Sequence, residues 1–284
     1  MTKKKKTVDT LVKDIYDLVS TKETPKDVDL DKCIDEFGEG VKSLMQTLFS
    51  EKRNADNRTL RMSNIGRDDR YLWHVAKGSP KEELLPHTYM KFMYGHLIEE
   101  LLLFLTKASG HTVTDEQKRC EINGIQGSQD CRIDGVITDI KSASTYGFKK
   151  FKEGTLEFDD PFGYIAQIKA YAKAQGATEG GWLALEKQNG HLTYLKMDLS
   201  NNNIDQRIDE LKDVVASDAM PPVCEEPVPD GKSGNLKLPV KCSYCAYKKS
   251  CYPNLRTFLY SRGPVHLVKV VNEPKVVELF DEQA

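Results

Sequence analysis

Residues 127–142, Gly-Ser-Gln-Asp-Cys-Arg-Ile-Asp-Gly-Val-Ile-Thr-Asp-Ile-Lys-Ser, leave their backbone little choice of structure. Asp134-Gly135 is a two-residue hairpin signal, because a type I′ turn needs positive φ at both central positions. Counting outward from that turn pairs Ile133 with Val136, Arg132 with Ile137, Cys131 with Thr138 and Asp130 with Asp139. Side chains alternate along a strand, so Lys141 shares the face of Asp139 and Cys131 points to the core on the other face. Two carboxylates opposed across a hairpin repel by up to about 1 kcal/mol unless a cation sits between them. Mg²⁺ takes oxygen ligands and is often held by one or two carboxylates. The register therefore predicts a divalent-cation site on Asp130 and Asp139, against the plainer alternative of a solvated polar face.

Composition narrows the class. The chain has 284 residues, 39% hydrophobic and 30% charged, enough for one sizeable core with appendages. No apolar run approaches the ~18 residues of a membrane helix; the longest, 97–105, is broken by Glu99 and Glu100. The basic start is followed by an amphipathic charged segment, which argues against a secretory signal. Seven cysteines, three of them clustered, suit a reduced intracellular compartment better than a disulfide framework. The expectation is a cytoplasmic protein with no membrane partner. A net charge of −2 gives no global footprint for nucleic acid. Locally, Lys52, Arg53, Arg58, Arg61, Arg67 and Arg70 gather in one stretch, and Lys149, Lys150 and Lys152 follow Lys141 with no acid among them. The lysines, with Arg67 and Arg70, are expected to contact phosphates.

Helical spacing of Val8, Leu11, Val12, Ile15, Leu18 and Val19, and of Ile34, Phe37, Val41, Leu44, Leu48 and Phe49, predicts a helical extension over 1–55. Residues 56–217 form the predicted core. A helix over 89–107 carries Leu97, Ile98, Leu101, Leu102 and Leu105 as its buried stripe, with Glu99 beside it one turn after Gly95. A strand over 112–122 leads into the hairpin, and 145–160 read as a Gly- and Lys-rich loop. Asp159-Asp160-Pro161 starts a helix on which Gln167 and Tyr171 share a face at i, i+4. A second hairpin turns at Asn189-Gly190, and a helix spans 203–217. An extended linker over 218–241, a cysteine segment over 242–262 and a tail over 263–284 complete the chain.

Asp130 followed by Asp139-Ile140-Lys141 resembles the D…(D/E)xK signature of the PD-(D/E)xK nuclease superfamily. Gln167-Ile168-Lys169-Ala170-Tyr171 resembles the QxxxY motif of its RecB-type branch, which includes CRISPR-adaptation nucleases and phage recombination exonucleases. Cys242-Ser243-Tyr244-Cys245 with Cys251 resembles that branch's CxxC-x5-C cluster, so the likeness spans residues 62–253. It implies a restriction-endonuclease-like α/β core, a mixed central sheet flanked by helices, with a C-terminal metal-binding cysteine segment. It also implies Mg²⁺ or Mn²⁺ held by Asp130, Asp139, an acid from the preceding helix (Glu99, with Glu100 as alternative) and the Ile140 backbone carbonyl. The motifs alone permit Asp134 as first carboxylate; the hairpin register favours Asp130.

By the same resemblance, Lys141 handles the attacking water or the phosphate charge, Gln167 orients water or phosphate, and Tyr171 contacts the DNA backbone. His96 resembles a histidine found upstream in some relatives and reads as a hydrogen-bonded supporting group. The cysteines would hold a [4Fe–4S] cluster, with Zn²⁺ as the alternative. The sequence departs from the branch where an N-terminal cysteine is expected: after Ser63-x-x-Gly66 stands Arg67-Asp68-Asp69-Arg70. The fourth ligand is left among Asp68, Asp69 and Cys33, with Cys120, Cys131 and Cys224 weaker. The implied activity is a metal-dependent deoxyribonuclease, an exonuclease on linear single- or double-stranded DNA in recombination, repair or replication, working with a recombination or replication protein. An endonuclease of the same fold, or an inactive DNA-binding module stapled by a cysteine-bound metal, are the alternatives.

Overall fold

The computed structural model describes residues 6–50, 59–83 and 86–279, apart from the side chain of His87; Lys52, Arg53 and Arg58 of the basic stretch lie outside the described residues. In chain order come α1 (Leu11–Thr21), α2 (Leu30–Ser50), α3 (Asp69–Lys77), α4 (Pro86–Ala108), β1 (Val113–Thr114), β2 (Arg119–Ile122), β3 (Ile125–Ser128), β4 (Cys131–Ile133) and β5 (Val136–Ala143). Then follow α5 (Thr145–Glu153), α6 (Tyr164–Ala174), β6 (Glu179–Glu186), β7 (Leu192–Asp198) and α7 (Ile204–Ala216). The C-terminal part holds β8 (Val228–Pro229), β9 (Leu236–Lys237), α8 (Val240–Ser243), α9 (Lys248–Cys251), β10 (Arg256–Tyr260), β11 (Gly263–Lys269) and β12 (Glu278–Leu279).

The central sheet runs β1-β4-β5-β6-β7. Only β5 and β6 are parallel, and α5 and α6 supply the crossover such a pair requires. Both faces of β5 are covered, which is why its burial pattern is nearly continuous. Ile137 and Ala143 pack with Phe148, Phe151, Ile168 and Trp182 on one side. Val136 and Ile140 pack with Leu11, Ile15, Leu102 and Leu103 on the other. The architecture is thus a mixed α/β sheet between helices, and α1 is part of its core. Among the described residues no helix is long and apolar enough to cross a membrane.

The hairpin register is Cys131↔Thr138, Arg132↔Ile137, Ile133↔Val136, with φ of 51° at Asp134 and 91° at Gly135. Elsewhere the linear reading needs correction. The strand expected over 112–122 is broken by positive φ at Asp115 (54°) and Gln117 (49°), and its second half pairs with β3 as a separate two-stranded sheet. The turn between them, Asn123-Gly124, has φ of 50° and 83°, another primed turn. Residues 145–153, read as loop, are a helix: the Ser144 side chain accepts the Gly147 N–H at 3.2 Å, Gly154 ends it at φ 67°, and Phe148 and Phe151 anchor it. On α4 the stripe is shifted, with Leu102, Leu103 and Thr106 inward and Leu101 38% exposed. The segments read as linker and tail pair into a second sheet, β12-β10-β11-β9-β8.

One close contact fixes α6. Gly66 lies against Gly163, which begins α6 at φ 78°, so a Cβ on Gly66 would stand 2.6 Å from the Gly163 carbonyl oxygen. Backbone cannot yield as a flexible side chain does. Gly66→Ala is therefore expected to cost about 2–3 kcal/mol, as overpacking of a close contact does. Gly38→Ala, in an open stretch of α2 with nothing within 4 Å, should instead stabilise by about 0.4–1 kcal/mol. Urea unfolding of the two variants checks the opposite signs.

Candidate active site

Strand β5 is eight residues long, whereas β4 has only three. Their pairing ends at Cys131–Thr138, so from Asp139 onward β5 has no strand partner on that edge among the described residues. Asp130 turns into the gap, and its Oδ2 accepts the Ile140 N–H at 2.7 Å. The N–H and C=O of one strand residue point to the same side, so the Ile140 carbonyl faces the gap as well. Asp139 is 1% exposed. The Lys141 ammonium lies 2.5 Å from its Oδ2, yet neither carboxylate oxygen has an aligned hydrogen-bond donor. Glu99 arrives from α4. Its Oε1 accepts the Gln117 side-chain N–H at 2.7 Å, and the Gln117 backbone N–H donates to the Asp130 carbonyl at 2.9 Å. Gln117, not singled out by the sequence, so links the helix acid to the strand acid. It was hidden because it lies in the segment read as continuous strand. His96 Nδ1 stands 3.9 Å from Glu99.

Three carboxylates thus face one lysine. Burial, then Asp139, pushes the Asp130 carboxyl well above the usual carboxylate range. Burial also raises Asp139, with Lys141 opposing the rise. Burial alone would lower Lys141, but Asp139 and Asp130 hold it protonated and raised. Among the described residues no group of three His, Cys, Asp or Glu side chains stands at metal-holding geometry; here an ammonium lies on Asp139. Buried carboxylates without aligned donors are costly unless a cation compensates them, and the oxygen-rich donor set suits a hard ion such as Mg²⁺. The rival acids are placed elsewhere. Glu100 lies over Gly40 of α2, where burial raises its carboxyl. Asp134 accepts from the Thr112 N–H at 3.1 Å and bonds His111 Nδ1 at 2.7 Å, while His111 Nε2 reaches Asp14 of α1 at 3.0 Å.

Asp160 caps α6, accepting the N–H groups of Gly163, Tyr164 and Ile165 at 2.8–2.9 Å. The helix carries Gln167 and Tyr171 on one face, with the Gln167 Nε2–H donating to Tyr171 Oη at 3.2 Å and Tyr171 near enough to Asp139 and Asp130 to feel their charge. Tyr171 is 2% exposed and lies under Gly127, where a Cβ would come within 2.9 Å of its ring. Contact between Tyr171 and a DNA backbone, expected from the resemblance, is not available in this arrangement; the tyrosine props Gln167 from below. Tyr164, one turn earlier, places its ring centroid 5.0 Å from Lys141 Nζ.

The basic residues divide. Lys152 is exposed on α5, and Lys149 is exposed with Glu153 3.8 Å away. Lys150 is paired with Asp159 at 2.7 Å. Arg67 stacks over Tyr71 at 4.5 Å, and Arg70 donates to the Pro221 carbonyl at 3.0 Å. Both line the cavity of the cysteines instead of facing the hairpin site. That cavity is bordered by Cys242, Cys245 and Cys251, by Asp68, and by Cys224, which the sequence ranked low. Cys33 is buried on α2, with Glu36 and Lys107 as its charged neighbours, so it is no partner to them. Asp69 is engaged by Arg207 at 2.7 Å.

No protein-family profile and no curated protein sequence matches the chain. Solved structures of similar shape include an alkaline exonuclease from Laribacter hongkongensis, 15% identical over 57% of this chain and 88% of that one, at a TM-score of 0.37. A phage-related exonuclease from Haemophilus somnus is 15% identical over 56% and 90%, at 0.38. The protein SSO0001 is 13% identical over 73% and 91%, at 0.39. These likenesses concern overall shape; the chemistry available to the chain is set by the residues of its own site.

Because the fold disfavours the ionised form of Asp130, the stability that this carboxyl lends is complete below the ordinary carboxylate range and is lost as pH rises through its raised value. At pH 7.5 in chelator, Asp130→Asn is therefore expected to raise the melting temperature by a few degrees, about 2–4 °C per kcal/mol relieved. Added Mg²⁺ should raise the native protein's melting temperature by mass action and leave the variant's unmoved. Differential scanning fluorimetry reads both; a variant that melts lower in chelator contradicts the account.

Proposed function

We propose that this chain is a metal-dependent DNA nuclease of the PD-(D/E)xK type, acting as an exonuclease on linear DNA. The observation that carries the reading is the convergence of Asp130, Asp139 and Glu99, with one protonated lysine, at the unpaired edge of β5. The residues suit Mg²⁺ or Mn²⁺, with the Ile140 carbonyl as a further oxygen. Bound there, the ion would polarise a scissile phosphate and lower the pKa of a water molecule.

The remaining work falls to the chain. Glu99, Asp130 and Asp139 would hold the ion from the helix and the hairpin, whose relative position the Gln117 bonds fix. Lys141 shares the face of Asp139 and supplies a positive charge to the non-bridging oxygen as negative charge develops there. Tyr164 stands beside the lysine and limits where its ammonium can go. Gln167, oriented by Tyr171, presents its amide toward water or phosphate beside the carboxylates. The exposed Lys149 and Lys152 on α5 suit the neighbouring phosphates, which contribute affinity without reading sequence.

End-labelled linear DNA and covalently closed circular DNA, each incubated with Mg²⁺, test this directly. Loss of the linear substrate alone is expected, and cleavage of both would make the protein an endonuclease. Asp139→Asn should lower the rate by about a thousandfold or more, since several kcal/mol of charge stabilisation is at stake, while leaving DNA binding nearly intact. Mutant-insensitive or absent cleavage would contradict the reading. Tyr171→Phe removes one buried hydrogen bond of about 1 kcal/mol and should cost about fivefold in kcat with KM little changed; a kcat equal to that of the native chain would remove Tyr171 from the site.

A further inference from the structure

Helix α4 outruns the sheet it packs on. Toward its C-terminus Leu102 and Leu103 sit in the core with Val136 and Ile140 of β5. Further up, a Cβ on Gly95 would stand 3.7 Å from Ser142 Oγ, and β5 ends one residue later, at Ala143. Residues 86–94 therefore carry the helix past the end of the strand, by about 13 Å at 1.5 Å per residue. None of the described side chains over 86–96 is buried.

Scattered exposed apolar residues are ordinary; here they fall in register with the site. Tyr89 is 48% exposed and Phe92 43%, and the His96 side chain is 48% exposed. With Glu99 they recur at spacings of three, four and three, so the four side chains share one face of α4. The last of them is the acid that Gln117 links to Asp130. Met90 and Tyr94, also exposed, lie across the helix from this face. The three rings are offset along the axis by about 4.5–6 Å. That step is wider than the roughly 3.4 Å between stacked bases of a duplex strand, and it suits a strand whose bases are drawn apart. Charge points to the same occupant. Residues 86–98 contain no acid, and Lys91 is exposed among them, so nothing on this part of the helix repels a phosphate backbone.

We propose that the Tyr89–Phe92–His96 face of α4 is a stacking ladder for the unpaired bases of one DNA strand, leading its backbone down to Glu99 and the two aspartates. The inference rests on the nuclease reading and adds a substrate preference to it, a single-stranded terminus over a paired one. Every base has a π-face, so such a ladder holds a strand without reading its sequence, and each stacked base contributes on the order of five- to 150-fold in affinity. A duplex keeps its bases stacked on one another and offers the rings no face. Tyr89 and Phe92 are thus binding residues, outside the groups that act on the phosphate.

The test is fluorescence anisotropy of the full chain in chelator, where nothing is cut, with a labelled oligothymidylate and a blunt hairpin duplex as probes. The single strand should bind roughly tenfold or more tighter than the duplex. Phe92→Ala and Tyr89→Ala should each raise its Kd about fivefold or more. Phe92→Trp should keep native affinity, whereas Phe92→Leu, apolar but without a ring, should behave like Phe92→Ala. Leu259→Ala, an exposed apolar change on the second sheet, should alter nothing. A duplex bound as tightly as the single strand, or native affinity in Phe92→Leu, would overturn the ladder. So would a sedimenting dimer of the native chain that Phe92→Ala dissociates, since the face would then be covered by a second copy. The comparison of the two probes on the native chain decides even where a variant does not fold. The two readings fail separately: ladder-dependent binding without Mg²⁺-dependent cleavage would remove the nuclease alone, and cleavage with ring-independent binding would remove the ladder alone.

Discussion

The rest of the site depends on a difference in strand length. Because β4 stops after three residues while β5 continues, the middle of the central sheet exposes backbone polar groups that no strand satisfies. Buried N–H groups need partners, and the Asp130 carboxylate is the one supplied to Ile140. That bond draws a second acid to within reach of Asp139 and orients the Ile140 carbonyl into the same gap. A longer β4 would satisfy the ladder and close the site.

The price of that arrangement is electrostatic. Asp130 and Asp139 are raised by burial, and Lys141 offsets only part of what Glu99 and the two aspartates bring together. Acids are seldom buried unless paired, and a fold under selection for stability alone would have replaced one of them. The surroundings hold the frustrated group in place: Asp160 caps α6, the Gly66–Gly163 contact sets where that helix begins, and His111 ties α1 to the hairpin turn. The cysteine cavity shows the same pattern, unsatisfied donors and crowded thiols held by packed rings.

The sheet-centred part of this structure was legible because its signals are local. Asp134-Gly135 demands a primed turn, and alternation from it places Asp130, Asp139 and Lys141 without reference to anything distant. At Asn189-Gly190 only the glycine takes positive φ, at 72°, and β6 and β7 are joined by a longer loop, not a two-residue turn. Helix α5 was missed because Gly147, Gly154 and three lysines read as loop, while its anchors Phe148 and Phe151 become visible only against β6 and β7. Gln117 was missed because a strand was drawn through it, and Tyr171 was misjudged because exposure is a property of the packed chain. That Cys224 lines the same cavity as the C-terminal cysteines is a long-range feature: the spacing within Cys242–Cys251 is readable, but which other side chains border them depends on how the connector folds back. The second sheet escaped because several of its strands are two residues long.

The most direct test of the central claim is a crystal of the native chain grown with Mn²⁺ and measured for anomalous scattering. The account predicts a peak bounded by Asp130, Asp139 and Glu99, within coordination distance of the Ile140 carbonyl, with Lys141 moved off Asp139. A map with no peak at that edge of β5, or with the ion bound elsewhere while Lys141 stays on Asp139, would contradict it.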